Sequence, residues 1–355
     1  RYDMFFPFGR EQEWPQMAAD IQAYRRQHQQ SSWGEAYACQ APTEASVAVK
    51  YLPYPFRFEI SPAAEATFRA EDVELREFER VFEAQKLEAR TRLWVVLMMA
   101  RLFFPVGEFD NWQVMLFIKG VAGSGKSTLA QFMRTLFPAG LVSTLSQNIE
   151  RTFGLSGILK PPPLETLLCI CAEVGPELKL NQGDWQSAVS GEEVQVAVKG
   201  ETAYQKKWDT PFFWLGNEMP NYSNNSGSVD RRIVLIDFLH KVRNGDMKLF
   251  DRMLEETDRF MRKGVVLYHR ARHKYGDIDI WSKNPQVLPP SMHASRDQMR
   301  ISVDPLYSFI KSPEMLVNSC EDPSNQDQLE ASVRITEEDF KLKYFDFRKS
   351  NGLGQ

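Results

Sequence analysis

Gly120-Val121-Ala122-Gly123-Ser124-Gly125-Lys126-Ser127 is the stretch that decides the fold of this chain. It fits the pattern G-x-x-x-x-G-K-[ST] at every required position. The apolar run Val114 to Ile118 before it predicts a strand, and the segment Ser127 to Phe137 after it predicts a helix. A strand, a glycine loop and a helix in this order form a phosphate-binding loop. The alternative is a chance glycine-rich turn, which the flanking strand and helix disfavour.

Each part of this loop has a chemical role. The glycines let backbone N–H groups surround phosphate oxygens, Lys126 brings a positive charge to the β and γ phosphates, and the Ser127 hydroxyl can ligate Mg²⁺. We therefore expect ATP and Mg²⁺ as ligands. The candidate nucleotide-binding residues are Gly120, Val121, Ala122, Gly123, Ser124, Gly125, Lys126, Ser127 and Thr128.

A second candidate is the carboxylate at the end of the apolar strand Leu167 to Ala172. Glu173 at the carboxyl end of a strand would lie beside the γ-phosphate, where it can orient water and assist Mg²⁺. The alternative is an ordinary surface acid. No second carboxylate precedes it, because Ala172 stands there, so we expect the metal to rest on Ser127, Glu173, phosphates and water.

Two further strands carry polar residues at their ends. The strand Phe212 to Leu215 leads to Asn217, whose amide can hydrogen-bond the γ-phosphate or the attacking water, although Asn before Pro is also a common turn signal. Arg231 and Arg232 precede the strand Ile233 to Phe238. An arginine there can stabilise phosphoryl charge as a finger reaching a neighbouring subunit, or form a surface ion pair.

The order of these motifs resembles that of superfamily 3 helicases, specifically the helicase part of the primase-helicases of poxviruses, giant DNA viruses and some phages. The resemblance rests on the phosphate loop, the Glu173 strand, Ser190-Gly191-Glu192, segment 214–220 and the paired arginines, and covers about residues 70–245. It implies an α/β AAA+-type P-loop ATPase core. It also implies a homo-oligomeric ring, a hexamer, that hydrolyses ATP at subunit interfaces and moves single-stranded or forked DNA through its centre.

A hairpin is the candidate DNA contact. The segment Val194 to Lys199 alternates like a strand, a turn-like segment follows, and Tyr204 to Trp208 can return. The resemblance implies that such a hairpin projects into the ring channel. There Lys199, Lys206 and Lys207 would follow phosphates and Tyr204 would stack on a base. The alternative is a solvated basic hairpin.

Composition restricts the partners. The chain has 355 residues with 43 basic and 47 acidic side chains, which excludes a broadly basic nucleic-acid coat. The four cysteines are scattered without the spacing of a zinc site. The best membrane candidate, Leu93 to Phe104, is short and contains Arg101, so we expect a core helix and no membrane partner. We expect an intracellular protein at a viral replication site in the host cytoplasm or nucleus, not a secreted one.

The predicted organisation has five parts. Because the first residue is Arg1, the chain looks like a piece of a longer protein, with an upstream primase domain as an expected partner. The parts are an irregular N-terminal linker or small domain (1–62), a helical collar-like block (63–108), the P-loop ATPase core (109–245), a helical extension (246–283) and a small C-terminal helical or winged-helix-type unit (284–355).

Two other functions remain open at the level of sequence. A P-loop kinase has the same phosphate cradle and would need a substrate lid in place of a channel hairpin. A binding module switched by nucleotide, without motor activity, would bind ATP and turn it over slowly without an effect of DNA, and Ala172 gives that alternative some support.

Overall fold

The computed structural model describes residues 69–145, 154–159, 166–178, 180–196, 204–222, 227–242, 245–312 and 336–351. The predicted N-terminal linker (1–62) and Lys199 lie outside the described residues. Seven strands are present in the described part: β1 (Met115–Gly120), β2 (Val142–Thr144), β3 (Leu168–Val174), β4 (Glu193–Val196), β5 (Tyr204–Lys207), β6 (Phe212–Gly216) and β7 (Ile233–Phe238).

Five of these strands form a parallel sheet in the order β2-β3-β6-β1-β7. The fold is therefore α/β, and the four strand predictions for residues 114–118, 167–172, 212–215 and 233–238 are confirmed. Because β6 lies between β1 and β3, the segments that follow these three strands meet at one edge of the sheet. That edge carries the phosphate loop, Asn217 and Glu173.

The described part of the chain has nine α-helices. They are α1 (Arg76–Ala84), α2 (Ala89–Arg101), α3 (Lys126–Leu136), α4 (Gln182–Val189), α5 (Leu249–Glu255), α6 (Thr257–Tyr275), α7 (Pro290–Val303), α8 (Pro305–Ile310) and α9 (Glu337–Ser350). Helices α1, α2, α3 and α6 pack on one sheet face. Residues from α4, the β4–β5 hairpin and α7 pack on the other. Strand side chains alternate between the two layers, as their period of two requires.

Each of the two predicted helical segments contains two α-helices in the described residues. The helical block predicted for 63–108 contains two α-helices in its described part, α1 and α2. The predicted helical extension (246–283) contains α5 and α6, which are separated at Glu256. The buried Glu256 carboxylate accepts a hydrogen bond from the backbone N–H of Glu77 at 3.1 Å, so it ties this break to the first turn of α1.

The core helix predicted at Leu93 to Phe104 is α2. Its buried charged residue, Arg101, is paired with a carboxylate. Arg101 donates to Asp110 through Nε (2.7 Å) and Nη2 (2.8 Å). It also donates to the carbonyls of Trp112 (2.7 Å) and Val114 (2.8 Å) just before β1. Tyr268 of α6 donates to Asp110 at 2.6 Å. This network joins α2 and α6 to the start of the strand that carries the phosphate loop.

The described residues after position 284 are mainly helical. Helix α7 packs on β7, and Met292 and Met299 of α7 are buried in the two layers of the core. Phe309 of α8 contacts the rings of three α9 residues, Phe340, Tyr344 and Phe347. A winged-helix form for this unit stays a prediction. None of the helices in the described part has the length and apolar character that a bilayer crossing requires.

Candidate active site

The phosphate loop connects β1 to α3 at a point where only glycine fits. A Cβ on Gly120 would lie 2.0 Å from the carbonyl oxygen of Phe238 at the end of β7, so these two strand ends pack backbone to backbone. Gly123 and Gly125 have φ values of +74° and +98°, a region that other residues rarely adopt. The glycines of the motif therefore produce the tight turn that the sequence predicts.

Lys126 occupies the inside of this turn. Its Nζ donates to the carbonyl oxygens of Gly120 and Val121, to Oδ1 of Asn217 at 3.1 Å and to Oγ of Ser124 at 3.5 Å. The side chain is buried, and burial lowers the pKa of its ammonium group. Lys126 thus lies where a phosphate group would need a cation, held by oxygens that a phosphate oxygen can replace.

Three other loop positions, Val121, Ala122 and Ser127, are exposed at the surface, and Thr128 is half-buried on the first turn of α3. The exposed Ser127 hydroxyl fits the expected role of a Mg²⁺ ligand, because it is accessible beside the loop. Among the described residues, no group of three or more His, Cys, Asp or Glu side chains could hold a metal ion. A metal here would therefore need phosphate and water oxygens as well as protein ligands.

A side chain that sequence reasoning missed supports the loop from outside. The amide of Gln85, just after α1, donates to the carbonyl oxygens of Ser124 (3.0 Å) and His240 (2.6 Å). Its Oε1 accepts from the backbone N–H of His240 at 2.9 Å. Nothing in the sequence marks a single glutamine near a helix end as part of a site.

Glu173 is exposed near the carboxyl end of β3. The pairing of β3 with β6 shifts register between Cys171 and Val174, so Ala172 and Glu173 leave the regular ladder at this point. The irregularity brings the Val174 carbonyl onto Gly216, where a Cβ would lie 2.1 Å from it. Glu173 therefore stands beside the segment that carries Asn217, at the edge of the sheet predicted for it.

Two cysteines lie on β3. Both Cys169 and Cys171 are buried in the sheet, and burial raises the pKa of the Cys171 thiol to about 11. This placement is that of packing residues.

Arg231 and Arg232 lie at the opposite end of the sheet, in a short turn before β7. Arg232 is buried and donates to Oγ of Ser190 (3.2 Å) and to the Ser228 carbonyl (2.8 Å). Its burial lowers the pKa of the guanidinium. Arg231 is exposed. The two arginines, equivalent in the sequence, are therefore different in the structure: Arg232 braces its own chain, and Arg231 points to the surface.

The backbone of Arg231 is fixed by the residues around it. Nε1 of Trp281 donates to the Arg231 carbonyl at 2.8 Å, and the Arg296 guanidinium lies 4.4 Å from the centre of the Trp281 ring. Arg296 also pairs with the fully buried Asp230 at 2.6 Å. The exposed arginine thus projects from a rigid turn.

The candidate DNA contact is an antiparallel pair of short strands, β4 and β5, as predicted. Tyr204 and Lys206 lie opposite the buried Val196 and Val194, and Lys207 lies opposite the exposed Glu193. Neighbouring residues of a strand point to opposite faces, so Lys206 and Lys207 cannot line the same face of the hairpin. Tyr204 is 42% exposed, which leaves part of its ring available for contact.

No protein-family model matches the sequence. The apo A form of the NrS-1 C-terminal region is similar to this chain at 12% identity and a TM-score of 0.42, over 77% of this chain and 66% of that one. A second A-form structure of that region has 14% identity and a TM-score of 0.42, over 74% of this chain and 64% of that one. The JCV helicase with a bound acetamide compound has 17% identity and a TM-score of 0.30, over 69% of this chain and 65% of that one. The chain thus spans slightly less than two thirds of each structure, and at these scores the likeness does not bear on function.

Proposed function

We propose that this chain is the ATP-hydrolysing motor of a DNA helicase, which acts as a homo-oligomeric ring and hydrolyses ATP where two subunits meet. The observation that carries the proposal is the 3.1 Å contact between Nζ of Lys126 and Oδ1 of Asn217. It joins the phosphate loop to a polar residue on the neighbouring strand, and that strand separates the loop from Glu173. A site for hydrolysis needs these three groups around one γ-phosphate.

The residues of the site divide the work of hydrolysis. Backbone N–H groups of the loop and Lys126 bind the phosphates, and Asn217 hydrogen-bonds the γ-phosphate or the attacking water. The exposed Glu173 carboxylate orients that water and accepts its proton. Ser127, with the help of Glu173, would hold Mg²⁺, which would supply positive charge beside the β and γ phosphates.

The position of Arg231 supports a site shared between subunits. In the sheet, Phe238 at the end of β7 lies opposite Gly120 at the start of the phosphate loop. Arg231 lies in the turn before β7, so the six-residue strand, about 17 Å from its first to its last Cα atom, separates it from the loop of its own subunit. An arginine side chain cannot cross that distance. We therefore propose that the exposed Arg231 acts on the nucleotide of a neighbouring subunit, as an arginine finger does.

The DNA contact rests on the hairpin. Its base is anchored in the core by Val194 and Val196, whereas Tyr204 and Lys207 are exposed. We place single-stranded or forked DNA against this hairpin in the ring, where Lys199, Lys206 and Lys207 would contact phosphates and Tyr204 would stack on a base. We further propose that the ring is a hexamer, that the chain is the helicase part of a viral primase-helicase, and that the full-length protein has an upstream primase domain.

The test is ATP turnover by the purified chain with and without single-stranded DNA, together with unwinding of a forked duplex. Turnover stimulated by the strand, and unwinding that requires ATP, support the motor. Fast phosphoryl transfer to a small acceptor, unaffected by DNA, identifies a P-loop kinase instead. Slow turnover without stimulation or unwinding identifies a module in which nucleotide acts only as a switch.

A further inference from the structure

We infer that Gln85 is a positioning residue that holds the phosphate loop in its binding conformation before nucleotide arrives. The inference rests on the proposed function in one respect, that the loop binds a nucleoside triphosphate. Gln85 contacts no part of the loop interior. It acts from the outer side, where its buried side chain fills the gap between α1, the loop and the segment after β7.

The first contact determines the direction of a loop N–H group. Gln85 Nε2 donates to the carbonyl oxygen of Ser124 at 3.0 Å. In a trans peptide the C=O and the following N–H point to opposite sides of the chain. Because the Ser124 carbonyl faces Gln85 on the outer side, the Gly125 N–H is directed inward, away from Gln85. An inward N–H at this position is what a phosphate oxygen requires.

The second contact extends the support to the preceding peptide of the loop, between Gly123 and Ser124. Gln85 exchanges two hydrogen bonds with the backbone of His240, at 2.6 Å and 2.9 Å, as a neighbouring strand would. This fixes the segment after β7, whose Val242 N–H donates to the Gly123 carbonyl at 3.0 Å. The Gly123 carbonyl is thereby also held outward, and the Ser124 N–H is directed inward by the same geometry.

The contacts match the chemistry of an amide. Two carbonyls and one N–H surround the side chain, and glutamine offers two donors and an acceptor. A glutamate at this position would place a negative charge against two carbonyl oxygens. A methionine would keep the volume and leave all three backbone groups without their partner.

The experiment compares Gln85→Met and Gln85→Glu with the wild type and with Thr91→Val. Thr91 is the matched control because it is buried on the neighbouring helix α2 and makes one hydrogen bond, to Ser291 at 2.6 Å, away from the loop. The first two measurements are the affinity for ATPγS, a slowly hydrolysed analogue, with Mg²⁺, and KM and kcat for ATP. The other two are thermal stability and the hydrogen exchange of residues 120–127 in the nucleotide-free protein.

We expect both Gln85 variants to bind ATPγS roughly tenfold more weakly, the order of effect of one or two lost hydrogen bonds. KM should rise with kcat near the wild-type value, and amides of the loop should exchange faster without nucleotide. Thr91→Val should lower thermal stability and leave both affinity and loop exchange unchanged.

The inference is overturned if a folded Gln85 variant binds ATPγS and exchanges its loop amides as the wild type does, or if Thr91→Val weakens binding equally. Absence of ATPγS binding by the wild-type protein overturns the proposed function instead. In that case loop exchange, measured without nucleotide, still decides whether Gln85 orders the loop.

Discussion

The Lys126 ammonium group and the Asn217 amide lie 3.1 Å apart although 91 residues separate them in the sequence. Two adjacent parallel strands produce this contact, because β1 and β6 end at the same edge of the sheet. The phosphate-binding cation is therefore held by a residue that can itself bind the γ-phosphate. In the proposed reaction, a bound nucleotide would take the place of Asn217 at Lys126, and the amide could then hydrogen-bond the reacting group.

Removal of the cation tests the first half of this arrangement. We expect Lys126→Ala to abolish ATP turnover and leave the fold intact, because it removes a phosphate-facing charge and not an apolar core side chain. The measurement is steady-state ATPase activity, with circular dichroism as the control for folding. Turnover at the wild-type rate in the folded variant would contradict the assignment of the loop.

The amide should matter for rate more than for affinity. Asn217→Ala should lower kcat by about 10²-fold, the order of effect of removing one hydrogen-bond donor from a reacting oxygen, while binding of Mg²⁺ with ATPγS changes little. Rapid-quench and binding measurements on the same variant separate the two effects. An equal loss of affinity would place Asn217 in ground-state binding.

Glu173→Gln should bind ATP and fail to hydrolyse it. The amide has nearly the same size as the carboxylate and lacks its basicity, so water is no longer activated. Equilibrium binding with single-turnover hydrolysis is the appropriate measurement. Glu177→Gln, an exposed acid after the same strand, serves as the control. If Glu173→Gln instead loses nucleotide, the carboxylate acts only in metal binding or in the structure of the site, and not as the base.

Neutralising the hairpin should separate ATP hydrolysis from work on DNA. With Lys199, Lys206 and Lys207 all changed to Ala, basal ATP turnover should persist, because none of them lies in a phosphate-binding motif. Binding of single-stranded DNA should weaken, with a salt slope shallower by up to about two units, the value for three phosphate contacts. Because Lys206 and Lys207 face opposite sides, the single variants should differ in slope.

Tyr204→Ala should lose affinity of about 1–3 kcal/mol with little change in salt slope, if its ring stacks on a base. Fluorescence anisotropy across a salt series measures both quantities. Lys274→Ala, on the exposed face of α6, is the control expected to change neither. Wild-type binding and unwinding by the triple lysine variant would make the hairpin a solvated surface and move the DNA contact elsewhere, first to the basic run 270–274.

The buried pair of Arg101 and Asp110 should make stability depend on acid pH. Burial alone would raise the pKa of the Asp110 carboxyl. The contact with Arg101 outweighs this effect and lowers the pKa below its ordinary value of 3.8. The unfolded chain therefore takes up this proton first. The contribution is complete above the unfolded pKa and is lost as pH falls through the folded one.

Asp110→Asn should cost about 3–5 kcal/mol of unfolding free energy at neutral pH, since it leaves Arg101 buried without its counter-charge. The difference from wild type should shrink below about pH 4. Urea unfolding at several pH values measures it. Asp277→Asn, an exposed acid, should show neither effect, and a cost for Asp110→Asn that does not vary with pH would contradict the account.

What the sequence predicts well is local. The phosphate loop, its flanking strand and helix, and the apolar strands are readable because a few adjacent residues determine each of them. The contacts of Gln85 are not, because its partner His240 is 155 residues away and meets it only after the sheet has formed. The difference between Arg231 and Arg232 is hidden for the same reason, since the buried Arg232 contacts Ser190, just after α4 and 42 residues away in the sequence.

The central claim, that ATP is hydrolysed between subunits, is tested most directly by mixing two inactive variants. Arg231→Ala subunits retain a complete phosphate loop, and Lys126→Ala subunits retain their Arg231. Each alone should show almost no turnover. Rings assembled from both should recover part of the wild-type ATPase activity, with a maximum at intermediate ratios, because some interfaces then combine an intact Lys126 with an intact Arg231. No recovery at any ratio, in preparations where mass spectrometry demonstrates mixed rings, would contradict hydrolysis between subunits.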